Sequence, residues 1–157
     1  MNEVHQDAYV LQAAPVGFGM DQVELGAGPG NLKNHLAQAI TSDLAPSPWI
    51  NLVCDGYELP FPDGSLSHLV LLDVFHHLEA PNAFLREARR ALAPAGRVIL
   101  FEPYVSWSSL PVYAWLHHEP VAWRAPINFA DTPPRASGYH AAQGNATRLF
   151  FRGEVPG

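Results

Sequence analysis

The sequence predicts an α/β protein in which a mostly parallel β-sheet lies between helices in a three-layer sandwich. Two short runs, Leu69–Leu72 and Val98–Phe101, are entirely apolar and are predicted as strands. The first of them suits a central parallel strand covered on both faces. Between them, residues 80–93 have the spacing of an amphipathic helix. A strand, a helix and a second strand in this order are typical of a parallel sheet.

The first half of the predicted sheet begins with residues 22–25, an extended run that ends in a glycine-rich turn over residues 26–30. Asn31 is predicted as the N-cap of the helix that follows, because its side chain can accept a hydrogen bond from the first helical turn. A second strand is predicted over residues 41–43. The apolar residues at helical spacing between them are Leu32, Leu36, Ala39 and Ile40.

A third strand is predicted over residues 50–54. Only residues 44–49 connect it to the second strand, whereas a parallel crossover usually needs about a dozen residues. Two alternatives follow: the crossover is compressed, or the third strand is a short, poorly paired edge.

The helix over residues 80–93 has clear limits. Pro81 suits its first turn, and Pro94 and Gly96 stop it. Its predicted buried stripe consists of Phe84, Leu85, Ala88 and Leu92, and its predicted outward face of Arg86, Glu87, Arg89 and Arg90.

The chain is predicted to have three regions. Residues 1–20 form an irregular lead-in, and residues 21–103 form the core domain. Residues 104–157 contain an aromatic segment over 107–116 that is predicted to be helical, followed by a Pro- and Gly-rich tail that we expect to be partly disordered.

Composition limits the function classes. The 157 residues are 48% hydrophobic, which suits one globular domain. The net charge of −6 gives no electrostatic footprint for nucleic acid, so no nucleic-acid partner is expected. Cys54 is the single cysteine, which excludes an internal disulfide and a multi-thiolate zinc site. Without a signal-peptide pattern or an apolar run of about 20 residues, we expect a cytoplasmic protein with no stable membrane insertion.

Chemistry is expected where the strands end. Parallel sheets bind ligands at the carboxyl ends of their strands, and glycines let a backbone approach a ligand closely. The glycine-rich turn lies at the end of the first predicted strand. Carboxylates end the next three predicted strands, at Asp43, Asp55 and Asp73, and carboxylates can accept hydrogen bonds from ribose hydroxyls or from an adenine amino group.

Four blocks in this order resemble the class I S-adenosylmethionine-dependent methyltransferases, most closely the group that shares a ubiquinone/menaquinone-methylase type of domain. The resemblance covers residues 22–103 and implies a Rossmann-like fold. Two departures are Ala95, where the family usually has a second glycine, and a C-terminal antiparallel hairpin that has no clear counterpart. The four blocks are residues 23–30, 55–65, 73–78 and 86–97.

The resemblance implies roles for individual residues, with S-adenosyl-L-methionine as the cofactor. Glu24 and the turn would hold its methionine end, Asp43 its ribose, and the segment from Asp55 to Tyr57 its adenine. Asp73 and Val74 would close the pocket, and residues 75–77 would face the acceptor. The implied cofactor-binding residues are Glu24, Gly26, Ala27, Gly28, Gly30, Asp43, Asp55, Gly56, Tyr57, Asp73 and Val74.

Two histidines after the fourth predicted strand are the candidate catalytic residues. His76 and His77 either remove a proton from the acceptor or are packed and hydrogen-bonded behind the strand. Residues 117–119 carry two adjacent histidines and a glutamate, but adjacent helical residues point in different directions, so no metal site is predicted.

The predicted function is transfer of a methyl group by direct displacement to a small-molecule acceptor. The alternative is a truncated or degenerate S-adenosylmethionine-binding domain without catalysis. A nicotinamide dehydrogenase is disfavoured, because its third glycine normally comes one position later than Gly30. The acceptor and the oligomeric state stay open.

Overall fold

The structure is a computed structural model that describes residues 21–104, 127–132 and 146–153. The predictions for residues 1–20 and 107–116 lie outside the described residues, as does most of the region predicted to lack the C-terminal hairpin. The chain divides into two compact units. The first unit contains residues 1–72 and 85–101, and the second unit contains residues 73–84 and 102–157.

The first unit is built on a five-stranded sheet in which every adjacent pair of strands is parallel. The order across the sheet is β3-β2-β1-β4-β5, so β1 is the central strand. This arrangement confirms the predicted α/β class. The strands are β1 (Asp21–Leu25), β2 (Ile40–Asp43), β3 (Leu52–Val53), β4 (Leu66–Leu72) and β5 (Leu92–Phe101).

The core of the first unit lies against β1 and β4. Val23 and Leu25 of β1 are buried, and so is every residue of β4 from Leu66 to Leu71. Burial of consecutive residues means that both faces of β4 are covered, as its apolar run predicted. One cluster on the sheet consists of Leu32, Ala39, Val70 and Ile99, with Leu36 and Leu72 packed against it.

The helix predicted after the glycine-rich turn is replaced by a 3₁₀ helix, Asn31–Asn34. Asn31 is not its N-cap; that position is held by Gly30 in the left-handed conformation, with φ of 75°. A longer helix does not form because Ile40 already belongs to β2, where it pairs with Val23. The predicted packing of Leu32, Leu36 and Ala39 is nevertheless correct.

The third strand is the short edge strand that one of the two alternatives described. β3 has two residues, and Leu52 and Val53 pair with Ser42 and Asp43 of β2. Residues 44–51 therefore make the connection without a helix. Asn51 braces it, because its backbone N–H donates to the Thr41 carbonyl at 2.8 Å and its Oδ1 accepts from the Thr41 N–H at 3.2 Å.

The long helix, α1 (Pro81–Ala91), begins at the proline that was predicted for its first turn. Phe84 and Ala88 are buried as predicted, whereas Leu85 is 42% exposed and was wrongly placed in the buried stripe. Within the described residues, no helix has the length and apolar character to cross a membrane.

The second unit contains an aromatic cluster around Phe75. The Phe75 ring lies 6.1 Å from the Phe84 ring and 5.3 Å from the Phe150 ring, centroid to centroid. Phe150 belongs to a turn of π-helix, Thr147–Phe151, and Phe151 packs against Tyr104 at 4.7 Å. The apolar residues near the end of the chain therefore have partners within this unit.

Strand β5 begins six residues earlier than predicted, at Leu92. Its pairing with β4 is irregular: Leu66 pairs with Leu92, but the next paired residue, His68, lies opposite Arg97. Pro94 and Gly96 therefore interrupt regular pairing without excluding the segment from the strand. Ala95 in this bulge has φ of 69°, a conformation that favours glycine.

We expect Ala95→Gly to raise the free energy of unfolding by about 0.5–1 kcal/mol. An alanine in the left-handed region costs roughly 1–2 kcal/mol, and the extra chain entropy of glycine offsets about 0.5–1 kcal/mol of that gain. Denaturant unfolding measures the change. Ala93→Gly is the matched control: Ala93 is buried and has no positive φ, so its loss should destabilise the protein. Equal destabilisation by both variants would contradict the interpretation.

Candidate functional site

The glycine-rich turn at the end of β1 depends on left-handed backbone. Gly26, Gly28 and Gly30 have φ values of 66°, 49° and 75°. The turn is fixed to β2 by the Ala27 N–H, which donates to the Ser42 carbonyl at 2.9 Å. A Cβ on Gly30 would lie 2.9 Å from the Trp49 carbonyl oxygen, whereas a Cβ on Gly28 would meet no atom within 4 Å. The turn is therefore tightly packed at Gly30 and open at Gly28.

Asp43 joins the tip of β2 to this turn. Its Oδ2 accepts the Gly28 N–H at 3.0 Å, and its Oδ1 accepts the Ala45 N–H at 3.2 Å. The side chain is half-buried, and each oxygen retains a further lone pair for a ligand. The structure thus brings together two parts of the predicted site, the glycine-rich turn and the first of the three carboxylates.

The second carboxylate, Asp55, lies in an exposed turn after β3. Its Oδ1 accepts the Tyr57 N–H at 2.9 Å, and its carbonyl oxygen accepts the Glu58 N–H at 3.1 Å. Gly56 and Tyr57 are half-buried in this turn. The turn is joined to β2 because the Cys54 N–H donates to the Asp43 carbonyl at 3.1 Å.

Cys54 was not among the predicted site residues, although it directly precedes Asp55. Burial raises the pKa of its thiol, a hydrogen bond with Ser42 lowers it, and the charges of Asp55 and Asp43 raise it further. β2 and β3 are parallel, so Asp43 at the end of β2 and Asp55 after β3 lie at the same edge of the sheet.

Glu24 is a buried acidic residue of the first unit. It lies near the end of the central strand, is only 2% exposed, and burial raises the pKa of its carboxyl group to about 7. Among residues 21–104, 127–132 and 146–153, no group donates a hydrogen bond to its buried Oε2. An unsatisfied buried carboxyl oxygen is costly, so this atom is suited to bind a donor from outside the chain.

The loop that follows Asp55 is held by two residues of α1 that were predicted to face outward. The Arg90 guanidinium donates to the carbonyls of Leu59 at 3.0 Å and Phe61 at 2.9 Å. Glu87 Oε1 accepts the Leu59 N–H at 2.8 Å and also pairs with Arg90 at 2.6 Å. Glu87 and Arg90 thus provide hydrogen-bond partners for backbone groups of the loop. The path of the loop is therefore fixed by these side-chain hydrogen bonds.

The second unit contains the remaining predicted site residues. Asp73 and Val74 are half-buried, and Asp73 has φ of 56°, a conformation that aspartate tolerates better than most residues. They lead into a 3₁₀ helix, Phe75–His77.

The two candidate histidines differ within that short helix. His76 is 1% exposed and its Nδ1 lies 2.6 Å from Glu102 Oε2, whereas His77 is exposed. The packed, hydrogen-bonded alternative therefore describes His76, whereas His77 differs from it in being exposed. Glu102 was not predicted as a site residue, since its partners lie 26–28 residues away in the sequence.

No group of three or more His, Cys, Asp and Glu side chains among the described residues is arranged to hold a metal ion. Residues 117–119 lie outside the described part of the chain.

Comparison with known proteins identifies relatives of this domain. Residues 23–100 match a family model described as a methyltransferase domain. An uncharacterised 37.1 kDa protein in transposon TN4556 of Streptomyces fradiae is 29% identical, over 66% of this chain and 35% of that protein.

Two solved structures share the fold. A chain from the complex between the Haloferax volcanii Trm112 methyltransferase activator and a methyltransferase is 26% identical, with a TM-score of 0.56, over 73% of this chain and 58% of that one. Haemonchus contortus phosphoethanolamine N-methyltransferase 2, solved in complex with S-adenosyl-L-methionine, is 20% identical, with a TM-score of 0.54, over 70% of this chain and 31% of that one.

The chain thus spans about a third of the length of the transposon protein and between a third and three fifths of the length of these two solved chains. The matched family model extends from β1 to β5, and it covers the glycine-rich turn and each of the three predicted carboxylates. The family match and the parallel sheet agree. The chain therefore belongs to the class I S-adenosylmethionine-dependent methyltransferases, whose cofactor is S-adenosyl-L-methionine.

Proposed function

We propose that this chain transfers a methyl group from S-adenosyl-L-methionine to a small-molecule acceptor by direct displacement. The observation that carries the proposal is the buried Glu24 carboxyl group, whose Oε2 has no hydrogen-bond donor among the described residues. It lies two residues before a turn whose backbone is open at Gly28.

The residues of the first unit fit this cofactor in three respects. Glu24 offers an acceptor that suits the ammonium group of the methionine end. The turn offers backbone without a Cβ at Gly28, where close approach meets no protein atom. Asp43 is held by two backbone N–H groups, so its orientation is fixed before a ligand binds.

On this basis Glu24 and the glycines would hold the methionine end, Asp43 the ribose hydroxyls, and residues 55–57 the adenine. The half-buried Tyr57 and the loop fixed by Arg90 would give the adenine a rigid wall. Asp73 and Val74 belong to the second unit, and their role stays a prediction from the family resemblance.

The cofactor supplies an electrophilic methyl group, so the chain does not need to activate the donor. Its residues have to orient the reacting groups and exclude water. An oxygen or nitrogen acceptor also has to lose a proton. Of the two candidate bases, His77 is exposed and accessible to an acceptor, whereas His76 is buried.

A small acceptor is supported by charge. The net charge of −6 opposes binding of a nucleic-acid backbone.

The second candidate function is binding of the cofactor without catalysis. It is favoured by one observation: the chain covers only 35% of its transposon relative and 31–58% of the two solved chains.

Turnover separates the two candidates. We expect the 157-residue chain to bind S-adenosylhomocysteine in calorimetry and to transfer a labelled methyl group from S-adenosylmethionine to a member of a panel of small amines, phenols and carboxylates. Binding with no transfer to any member would contradict the catalytic proposal and favour the binding domain. No binding at all would contradict both.

We expect Gly28→Ala to weaken S-adenosylhomocysteine binding at least about tenfold, which is roughly 1.4 kcal/mol. The new methyl group would occupy space that is open in the free protein. Gly64→Ala is the matched control. Gly64 also has a positive φ, and a Cβ there would meet its nearest atom at 3.9 Å, so both variants should lose a similar stability of about 1–2 kcal/mol. Equal affinity in both variants would contradict the proposal that the glycine-rich turn contacts the ligand.

We expect Glu24→Gln to abolish a pH dependence of stability. Below the ordinary pKa of 4.5 both states are protonated; between 4.5 and about 7 only the folded state retains the proton, so folding stability falls as pH rises. The free energy of unfolding should fall by a total on the order of 3 kcal/mol and should become constant above a pH of about 7. Urea unfolding at several pH values measures it, and the neutral glutamine should give a flat profile.

The same carboxyl group should make binding pH-dependent in the opposite sense. Wild-type affinity for S-adenosylhomocysteine should rise from about pH 5.5 to 7.5 as Glu24 ionises beside the ligand ammonium, and Glu24→Gln should lose this rise. Glu58→Gln, at an exposed carboxylate, is the control for both measurements and should behave like wild type. A slope retained in Glu24→Gln would assign the titration to another group.

A further inference from the structure

Glu102 directly follows β5 and accepts four hydrogen bonds within the second unit. Its Oε1 accepts the backbone N–H groups of Val74, at 3.0 Å, and of Phe75. Its Oε2 accepts the His76 N–H at 3.3 Å and faces the His76 Nδ1 at 2.6 Å. The Glu102 carboxylate therefore binds the backbone of three consecutive residues, 74–76, and also the side chain of His76.

This arrangement is deeply buried. The Glu102 side chain is 7% exposed and the His76 side chain is 2% exposed. A buried carboxylate is costly unless donors surround it, and here both of its oxygens are satisfied. Removal of the carboxylate would leave several N–H groups of the turn without their acceptor, so the conformation of residues 74–76 depends on it.

The carboxylate also sets the hydrogen-bonding state of the imidazole. A carboxylate oxygen can only accept, so His76 Nδ1 has to carry the proton that it donates. In the neutral ring, Nε2 then carries no proton and acts as an acceptor. The His77 ring lies against this fixed ring, with centroids 4.2 Å apart and planes inclined by 38°.

We propose that Glu102 is a positioning residue: it holds His76 in the Nδ1–H tautomer and, through the packed imidazoles, orients the exposed His77 on the predicted acceptor side. Its use in catalysis rests on the proposed methyl transfer, but the tautomer and the ring orientation do not. His76 acts as the support and His77 as the group presented to an acceptor.

The test uses imidazole nitrogen and proton NMR of the full chain, with Glu102→Gln as the variant. Glutamine keeps the shape but has one accepting oxygen. If that oxygen stays with Val74 and Phe75, the NH₂ group faces His76 Nδ1, which must become an acceptor. We expect the neutral His76 ring to change from the Nδ1–H to the Nε2–H tautomer, and the His77 ring-proton shifts to move with it. Glu58→Gln removes an exposed carboxylate and should change neither ring.

Wild-type spectra test the proposal even if Glu102→Gln does not fold. An Nε2–H tautomer of neutral His76 in wild type would overturn it, as would His76 and His77 ring signals that both stay unchanged in a folded Glu102→Gln variant. S-adenosylhomocysteine calorimetry on the same samples keeps the two proposals apart. Wild type that fails to bind contradicts the proposed function alone, whereas wild type that binds but shows the wrong tautomer contradicts the role of Glu102 alone.

Discussion

The central position of β1 is the constraint on which the candidate site depends. β1 pairs with β2 on one side and with β4 on the other, so its side chains can leave the sheet only towards its covered faces. Glu24 is therefore buried because of where its strand lies, and burial raises the pKa of its carboxyl group to about 7. A central strand with a buried acidic residue near its end gives up folding stability, and a buried group with a perturbed pKa is typical of binding sites.

The parallel direction of the strands explains why residues at the predicted strand ends come together in the candidate site. Parallel neighbours end at the same edge, so the residues that follow β1 and β2 had to meet, and the Gly28 N–H does donate to Asp43. Burial on both faces explains the apolar run from which β4 was predicted, whereas at the end of β5 Ile99 is buried and its neighbours are half-buried. Local sequence was therefore sufficient to predict those features that depend only on one strand and the residue that follows it.

Features that depend on distant residues were not predictable in the same way. The helix after the glycine-rich turn is short because Ile40 pairs with Val23, and β5 begins early because Leu92 pairs with Leu66. Arg90 and Glu87 follow the pattern of a solvated helix face, yet they bind loop residues 27–31 positions away. Periodicity assigns a face to a charged residue but cannot show that a loop returns to cover that face.

The two histidines show how a distant partner separates residues that are equal in sequence. His76 and His77 are adjacent, share one short helix and follow the same strand, so no local rule distinguishes them. The difference comes from Glu102, which lies 26 residues after His76 and places its Oε2 2.6 Å from the His76 Nδ1. Once one ring is fixed to a buried carboxylate, the other is held against it with its exposed side towards solvent. In the proposed methyl transfer, a base that removes a proton needs both access and a fixed orientation, and this pair would divide the two requirements between its members.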